Sequence, residues 1–343
     1  EVVDDSSKAE EYGEVPEGFL INSFNVDVAM KSDRFLEFGG KNVGLNSARY
    51  DFDYGVSGKY DVFFNYTKIP HLFSKSGETI WTELNPGQWR LADNIQQVIQ
   101  DLNPFDPILD PINYAPALAR QRAFVKNLLL NATDTPLGLQ RDRSTAGFAY
   151  TPNIDWKYGI EYFHENRDGT RPFGTSFGFS WATELPEAID YSTDRVRAGV
   201  EYAKNGKAFS AFYDLSLFRN EVETLTWDNP LRSSDRTYAN AYVNGDGTSQ
   251  ARVQLPADNT SHMVSFTGAS RLGKGRVTGN FSWNTWTDEV TLLPFTINSA
   301  INNDPAEAAL LQLPSSTFNG DMRNINANLR YYVPVGNGSF TAA

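Results

Sequence analysis

Cysteine is absent from the 343 residues. That excludes disulfides, thiolate metal sites and haem attached covalently through Cys-x-x-Cys-His. Histidine is almost as scarce: His71, His164 and His262 are the only three, and they lie far apart in sequence. No run of about 18 apolar residues occurs, so no segment reads as a membrane-spanning helix. An excess of positive charge is also lacking. Lys and Arg number 30 against 42 Asp and Glu, a net charge of −12. This argues against a nucleic-acid partner, whose phosphates need basic patches.

Catalytic signatures are missing too. There is no Gly-x-Ser-x-Gly, no His-Glu-x-x-His and no Gly-x-x-x-x-Gly-Lys. Outer-membrane hydrolases need a placed His beside Ser or Asp, which only His164 or His262 offers, and an enzyme is the least favoured reading. Asn244-Gly245-Asp246-Gly247-Thr248 has the acidic turn of a calcium loop but not its later bidentate Glu, and reads as a plain turn. No catalytic, cofactor-binding or metal-ligating residue is expected.

What the chain does have is aromatic side chains: 16 Tyr, 23 Phe and 7 Trp. Its mean hydropathy is nonetheless polar, at −0.44. A thin apolar layer around a polar interior reconciles the two. Alternation supplies the detail. Phe24, Val26, Val28 and Met30 share one face. Tyr50, Phe52 and Tyr54 alternate with Asp51 and Asp53. Past Gly55-Val56-Ser57-Gly58, Tyr60, Val62, Phe64 and Tyr66 alternate with polar residues. Val196, Ala198, Val200 and Tyr202 oppose Arg195, Arg197 and Glu201, and Asn205-Gly206 turns into Phe209–Leu217. Val277, Gly279, Phe281 and Trp283 alternate with Thr278, Asn280, Ser282 and Asn284. Ile325, Ala327, Leu329 and Tyr331 oppose Asn326, Asn328 and Arg330.

A soluble sandwich must bury one face of each strand in an apolar core. Here one face is apolar and aromatic, and the other suits only water or a polar partner. The pattern predicts an all-β fold: a transmembrane antiparallel up-and-down β-barrel, of which about ten full strands and part of an eleventh are present. Asp51, Asp53, Arg195, Arg197, Glu201, Asn280, Asn326 and Arg330 are the expected lumen-facing residues. Acidic residues 1–18 read as a flexible arm, and 19–343 as part of one barrel. The absence of an initial Met or apolar leader fits a cleaved secretory signal.

Residues 144–164 read as one long strand bent at Pro152. Long connections then fall at 70–143, 184–192, 219–259 and 292–320. Short turns fall at 55–58, 204–207, 273–275 and 335–338. With this assignment every short turn lies at one end. Outer-membrane barrels keep short turns periplasmic and long loops extracellular, which predicts a periplasmic arm. Within 72–143, Ala117–Asn131 suggests a helix, and the whole insertion is expected to reach outward as a docking platform. The sequence breaks off inside a hairpin, so further strands are expected beyond it.

Several ordered segments resemble the MtrB/PioB family of outer-membrane barrels. They are Gly147–Pro152 followed by Trp156–Tyr162; Glu184-Leu185-Pro186-Glu187 with Asp190-Tyr191; Trp227-Asp228-Asn229-Pro230; Leu255–Asn259 with His262; Leu293–Asn298; and Leu313-Pro314 through Asn319-Gly320. The resemblance runs over most of residues 19–335. It implies a large barrel of more than twenty strands in the bacterial outer membrane, of which this length is about half. It also implies a multihaem c-type cytochrome threaded from the periplasm through the lumen, and often a second one docked outside. The haem would be carried by the partner, with none bound by this chain. Some members carry a paired-cysteine motif near the N-terminus, which this chain lacks. The alternative function is a porin or substrate-specific channel with an open lumen.

Overall fold

The computed structural model describes residues 8, 10–13, 19–103, 108–177, 181–229, 250–291, 317–336 and 338–342. In chain order the elements are β1 (Ile21–Met30), β2 (Arg34–Val43), β3 (Arg49–Val56), β4 (Tyr60–Ser74), β5 (Glu78–Thr79), β6 (Thr82–Asn85) and β7 (Gln88–Arg90). Helices α1 (Asp93–Leu102) and α2 (Pro111–Leu129) follow, then β8 (Thr133–Asp134), β9 (Leu137–Asn153), β10 (Trp156–Phe177), β11 (Trp181–Lys204), β12 (Lys207–Asn220), β13 (Thr224–Asp228) and β14 (Gln250–Gln254). The last are β15 (Asn259–Leu272), β16 (Gly275–Thr291), β17 (Thr317–Val335) and β18 (Gly338–Ala342).

Twelve strands form one antiparallel sheet in the order β1-β2-β3-β4-β9-β10-β11-β12-β15-β16-β17-β18. Sequence neighbours are spatial neighbours throughout, and this meander is the up-and-down arrangement expected. The strand count differs from the expected ten to eleven because two differences raise it and one lowers it. β2 was not anticipated, because Gly39-Gly40 interrupts its alternation. Residues 144–164 are not one strand: β9 ends at Asn153 and β10 starts at Trp156, pairing closely along their length, with a register shift between Trp156 and Tyr158. Conversely, 184–192 is no connection but lies within β11, bonded along its length to β10. Pro186 sits opposite Pro172, and the strand tolerates both.

The splitting and the merging offset each other in strand direction, but the expected separation of short turns from long loops holds only in part, because β10 and β11 are joined at the long-connection end by residues 178–180 alone. The turns between β1 and β2, β3 and β4, β9 and β10, β11 and β12, β15 and β16, and β17 and β18 all lie at one end and span two or three residues. Their chemistry is that of tight hairpins. Ser32 and Asp33 have φ of 64° and 57°, and Asn205-Gly206 has 50° and 73°, the paired left-handed conformation whose twist matches the strands. The longer connections lie at the other end. Strand β4 extends to Ser74 and β9 begins at Leu137, so the insertion is shorter than 70–143. Its long helix, α2, starts at Pro111, with Asp110 capping the amide of Asn113. The connection read at 219–259 is bounded at 221–258 and carries β13 and β14. Residues 292–316, most of the loop placed at 292–320, lie outside the described residues.

The extra strand β2 corrects the placement of the arm. Residues Glu10–Tyr12 sit at the long-connection end, where the Leu72 amide donates to the Glu11 carbonyl at 2.9 Å. Arm and short turns therefore occupy opposite ends of the sheet, and the expectation that they share one is overturned.

Candidate functional site: the polar face and its cap

Register assigns every side chain of the sheet to one of two faces, because successive residues of a strand point oppositely. One cross-strand row runs Val28–Leu36–Tyr54–Val62–Phe148–Ile160–Ala198–Tyr213–Val264–Trp283–Ile325. All eleven are apolar or aromatic. They are nonetheless exposed to a degree unusual for such residues: Ile160 is 52% and Ile325 65% accessible. Among the described residues nothing covers this face. Neighbouring rows add Phe52 with Phe64, and Tyr150 with Tyr158, and rings pack across strands, as for Trp156 and Tyr202 with centroids 4.6 Å apart.

The opposite face holds all eight residues expected to line a lumen. Asp51, Asp53, Arg195, Arg197, Glu201, Asn280, Asn326 and Arg330 share it, since each lies at odd spacing from the apolar rows. They do not form one cluster. The face divides into three sectors across the sheet. Over β1–β4 it is acidic: Asp27, Glu37 and Asp53 stand directly opposite one another, with Asp51 hydrogen-bonded to Arg49 at 2.9 Å. Over β9–β12 it is rich in arginine. Over β15–β17 its middle rows, Thr267–Asn280–Asn328 and Ser265–Ser282–Asn326, are hydroxyls and amides, with Arg271, Arg276 and Arg330 nearer the short turns and Asp288 nearer the other end.

The arginine sector contains residues that the sequence reading missed. Arg141 donates to both carboxylate oxygens of Glu165 at 2.9 and 3.0 Å, and Arg143 shares the same carboxylate. Arg195 donates to Asp214 at 3.1 Å, and Arg197 lies 3.9 Å from the same oxygen. Arg141 and Arg143 alternate with Asp142 and Ser144, which was a legible strand signal, but they fell inside the segment read as loop. Two rings lie flat on this face. Phe63 covers Gly147 and Phe212 covers Gly199, so closely that an added Cβ would meet ring carbons at 2.3 and 2.1 Å. Arg197 stacks on the Phe212 ring at 4.5 Å. Only glycine opposite each ring permits this, and it keeps the aromatics from projecting off the wall.

At the long-connection end the insertions fold into a small cap with its own core. Trp81, Trp89, Leu91, Val222, Leu225, Trp227 and Leu255 pack together with Leu185 of β11. A second sheet, β14-β13-β7-β6, organises them. Fully buried Asp228 ties the pieces: its carboxylate accepts from the Leu91 amide at 2.9 Å and from Gln250 Nε2 at 2.8 Å, and its carbonyl accepts from Trp81 Nε1 at 3.2 Å. Leu185, Glu187 and Ile189 alternate in phase with Arg195 and Arg197, so the cap packs on the polar face. Glu187, fully buried, accepts Arg171 Nε at 2.6 Å and a second guanidinium hydrogen bond at 3.0 Å. The core of the insertion thus folds over the polar side of the sheet at the long-connection end.

The arm docks beside it. Tyr12 stacks on His71 with centroids 4.9 Å apart, Glu10 pairs with Lys75 at 2.7 Å and Glu11 with His71 at 3.5 Å. Glu11 also bonds Lys8, and that hydrogen bond, opposed by desolvation, holds its carboxyl below the ordinary 4.5. The other two histidines point away, at the edge of the apolar face: His164 Nδ1 is 2.8 Å from Asp194, and His262 Nδ1 is 2.8 Å from the Tyr213 hydroxyl. Among the described residues no group of three or more His, Asp or Glu is placed to hold a metal ion. The turn at Asn244–Thr248 lies outside the described residues.

Comparison with known proteins adds three findings. The family model for outer-membrane beta-barrel porins of the MtrB/PioB type matches residues 2–337. The outer membrane protein MtrB of Shewanella baltica (strain OS185) is 25% identical over 253 residues, which cover 71% of this chain and 32% of that protein. The chain thus spans about a third of that relative's length. Among solved structures, the siderophore receptor PiuA from Acinetobacter baumannii superposes with a TM-score of 0.42 at 9% identity, covering 93% of this chain and 43% of that one. OmpT of Vibrio cholerae gives 0.35 at 9% identity, covering 90% and 62%. Three of the ordered sequence segments, Glu184–Glu187, Trp227–Asn229 and Leu255–Asn259, converge in the cap, and the hairpin of β9 and β10 carries a fourth.

Proposed function

The chain belongs to the MtrB/PioB family of outer-membrane β-barrel porins, and from that premise we propose that its barrel sheathes a multihaem c-type cytochrome and holds it in position across the outer membrane. The apolar face meets lipid, and the polar face lines the lumen and receives the cytochrome. Haems left bare in a hydrocarbon layer about 30 Å thick would lack both water and polar ligand contacts. A hydrated, charged wall supplies that environment. In this reading the chain binds no haem itself and performs no chemistry. It insulates and positions the electron carrier, and the cap at the long-connection end faces outward from the cell, where an outer cytochrome could meet it.

The observation that carries the proposal is the two-faced sheet, with eleven aligned apolar residues on one side and charged and amide sectors on the other. Such a wall needs a wide polar filling or water. Detergent extraction of the full chain, followed by haem staining and visible absorption, tests which. The expected result is a haem protein that co-purifies at fixed stoichiometry. A haem-free barrel that conducts ions in planar bilayers would instead make it an open channel.

A further inference from the structure

The arginine sector of β9–β12 demands more negative charge than the chain provides. In four adjacent rows Arg141, Arg143, Arg167, Arg195 and Arg197 meet three carboxylates, Glu161, Glu165 and Asp214, while Glu201 lies on the same face nearer the short turn, opposite Lys157. Arg141 and Arg167 stand directly opposite each other, an arrangement that like charges disfavour. The Nε hydrogens of both are buried without an acceptor. Arg195 and Arg197 sit two residues apart and converge on one oxygen of Asp214. All these guanidiniums keep about a third or more of their side chains exposed where measured in ion pairs, from 34% for Arg141 to 42% for Arg195. Arg141, Arg143, Arg195 and Arg197 are thus partly open to whatever faces the wall. The four rows involved span about 20 Å along the strands, at roughly 3.4 Å per residue. That is the size of a protein contact, not of a single-ion site.

We propose that this band is the docking surface for the lumen partner, and that it takes an acidic face of that protein: Asp and Glu carboxylates together with exposed haem propionates. The planar guanidinium is the side chain suited to carboxylates, since it binds them bidentately. The neighbouring sectors set direction. Level with the band, β1–β4 present Asp27, Glu37, Asp51 and Asp53 against Lys41 and Arg49, which together repel the same carboxylates, and β15–β17 present amides, hydroxyls and Asp288, which do not attract them; Arg271, Arg276 and Arg330 of β15–β17 lie nearer the short turns. A partner with one acidic face is thereby held in one rotational setting within the wall, facing β9–β12. The cap's anchor, Arg171–Glu187, closes the band at its upper end and contributes no free charge.

The inference rests on the proposed sheath function, and the test separates the two. The full chain is purified with its haem partner at increasing salt, and the salt at which half the haem is released is recorded. Arg195→Gln/Arg197→Gln is expected to lower that midpoint about twofold or more, because contacts between charges at an interface weaken with ionic strength. Asp214→Asn is expected to shift it the other way, since it frees both guanidiniums. Damage to the wall would lower it in both variants, so opposite shifts report docking. Heat-modifiable migration on gels confirms that each variant is a folded barrel. A wild-type barrel holding haem whose midpoint moves in neither variant, or falls in both, overturns the arginine band and spares the sheath. A wild-type barrel without haem, whose anion preference falls in the Arg variant, overturns both and makes the band an ion filter.

Discussion

At the scale of single residues, the function of a side chain here depends on one bit of information: which face it occupies. Ile160 and Glu161 are adjacent in sequence and belong to different solvents. A charge introduced at Ile160 would enter hydrocarbon, and near the bilayer centre an Arg costs roughly 2–4 kcal/mol. Ile160→Arg is therefore expected to lose about that much stability in denaturant titrations of the barrel refolded into vesicles. Asn280→Lys, on the opposite face, is expected to stay within about 0.5 kcal/mol. Equal losses at the two sites would contradict the assignment of faces. This bit was legible in the sequence wherever alternation is strict, which is why all eight expected polar-face residues share one face. It was illegible where glycine or a charged stretch masks the period, as at Gly39-Gly40 and at Arg141–Arg143.

At the scale of elements, strands and cap obey different rules. Strand boundaries depend on pairing partners far along the chain. Nothing local distinguishes Asn153–Trp156, a tight hairpin, from Tyr191–Thr193, an uninterrupted strand, until β10 is laid against both neighbours. The cap is less legible still. Its core is drawn from three separate segments, and no period joins Trp81, Leu185 and Trp227. Asp228 is the link that makes it one unit. Asp228→Ala leaves the buried Leu91 amide without its acceptor, at roughly 1–3 kcal/mol, and takes away the partner of half-buried Gln250. The cap then unfolds before the sheet, and Trp81, Trp89 and Trp227 report it: their fluorescence is expected to shift to the red at lower denaturant than the barrel transition. A single coincident transition in the variant would mean that the cap is not a separate unit.

The arm behaves as a third kind of element, held by a few exposed contacts. Its Glu11 carboxyl is lowered chiefly by the Lys8 hydrogen bond, with His71 adding to the effect. A carboxyl lowered in the docked state favours docking above its ordinary value of 4.5, and that support is lost as pH falls through the lower docked value. Hydrogen exchange at the Leu72 amide, which donates to the Glu11 carbonyl, is expected to be slow at neutral pH and to accelerate as pH drops below about 4.5, after correction for the intrinsic exchange rate. Protection that persists to pH 3 would place the arm's anchorage elsewhere, in the Tyr12–His71 stack.

At the scale of the whole molecule, the sheet has a polarity that single strands do not carry. Six tight turns occupy one end; residues 10–13 of the arm, the cap and the longer connections occupy the other, together with the three-residue join between β10 and β11. In outer-membrane barrels long connections face the exterior and short turns the periplasm. Applied to this sheet, that rule would put the arm with the cap at the cell surface, against its expected periplasmic placement. These residues hold no cysteine, so a thiol introduced among them has no native one beside it in this stretch. Leu109, 85% exposed in the connection between the helices, and Lys274, in the turn between β15 and β16, mark the two ends. With a membrane-impermeant maleimide on intact cells, Leu109→Cys is expected to label and Lys274→Cys to label only after the outer membrane is opened. The reverse pattern would invert the barrel, move cap and arm to the periplasm, and make the cap the entrance through which the haem protein is threaded. The two outcomes assign the same cap opposite duties, a stop at the exit or a collar at the entrance. The arginine band lies beneath it in either case, since register alone fixes that relation.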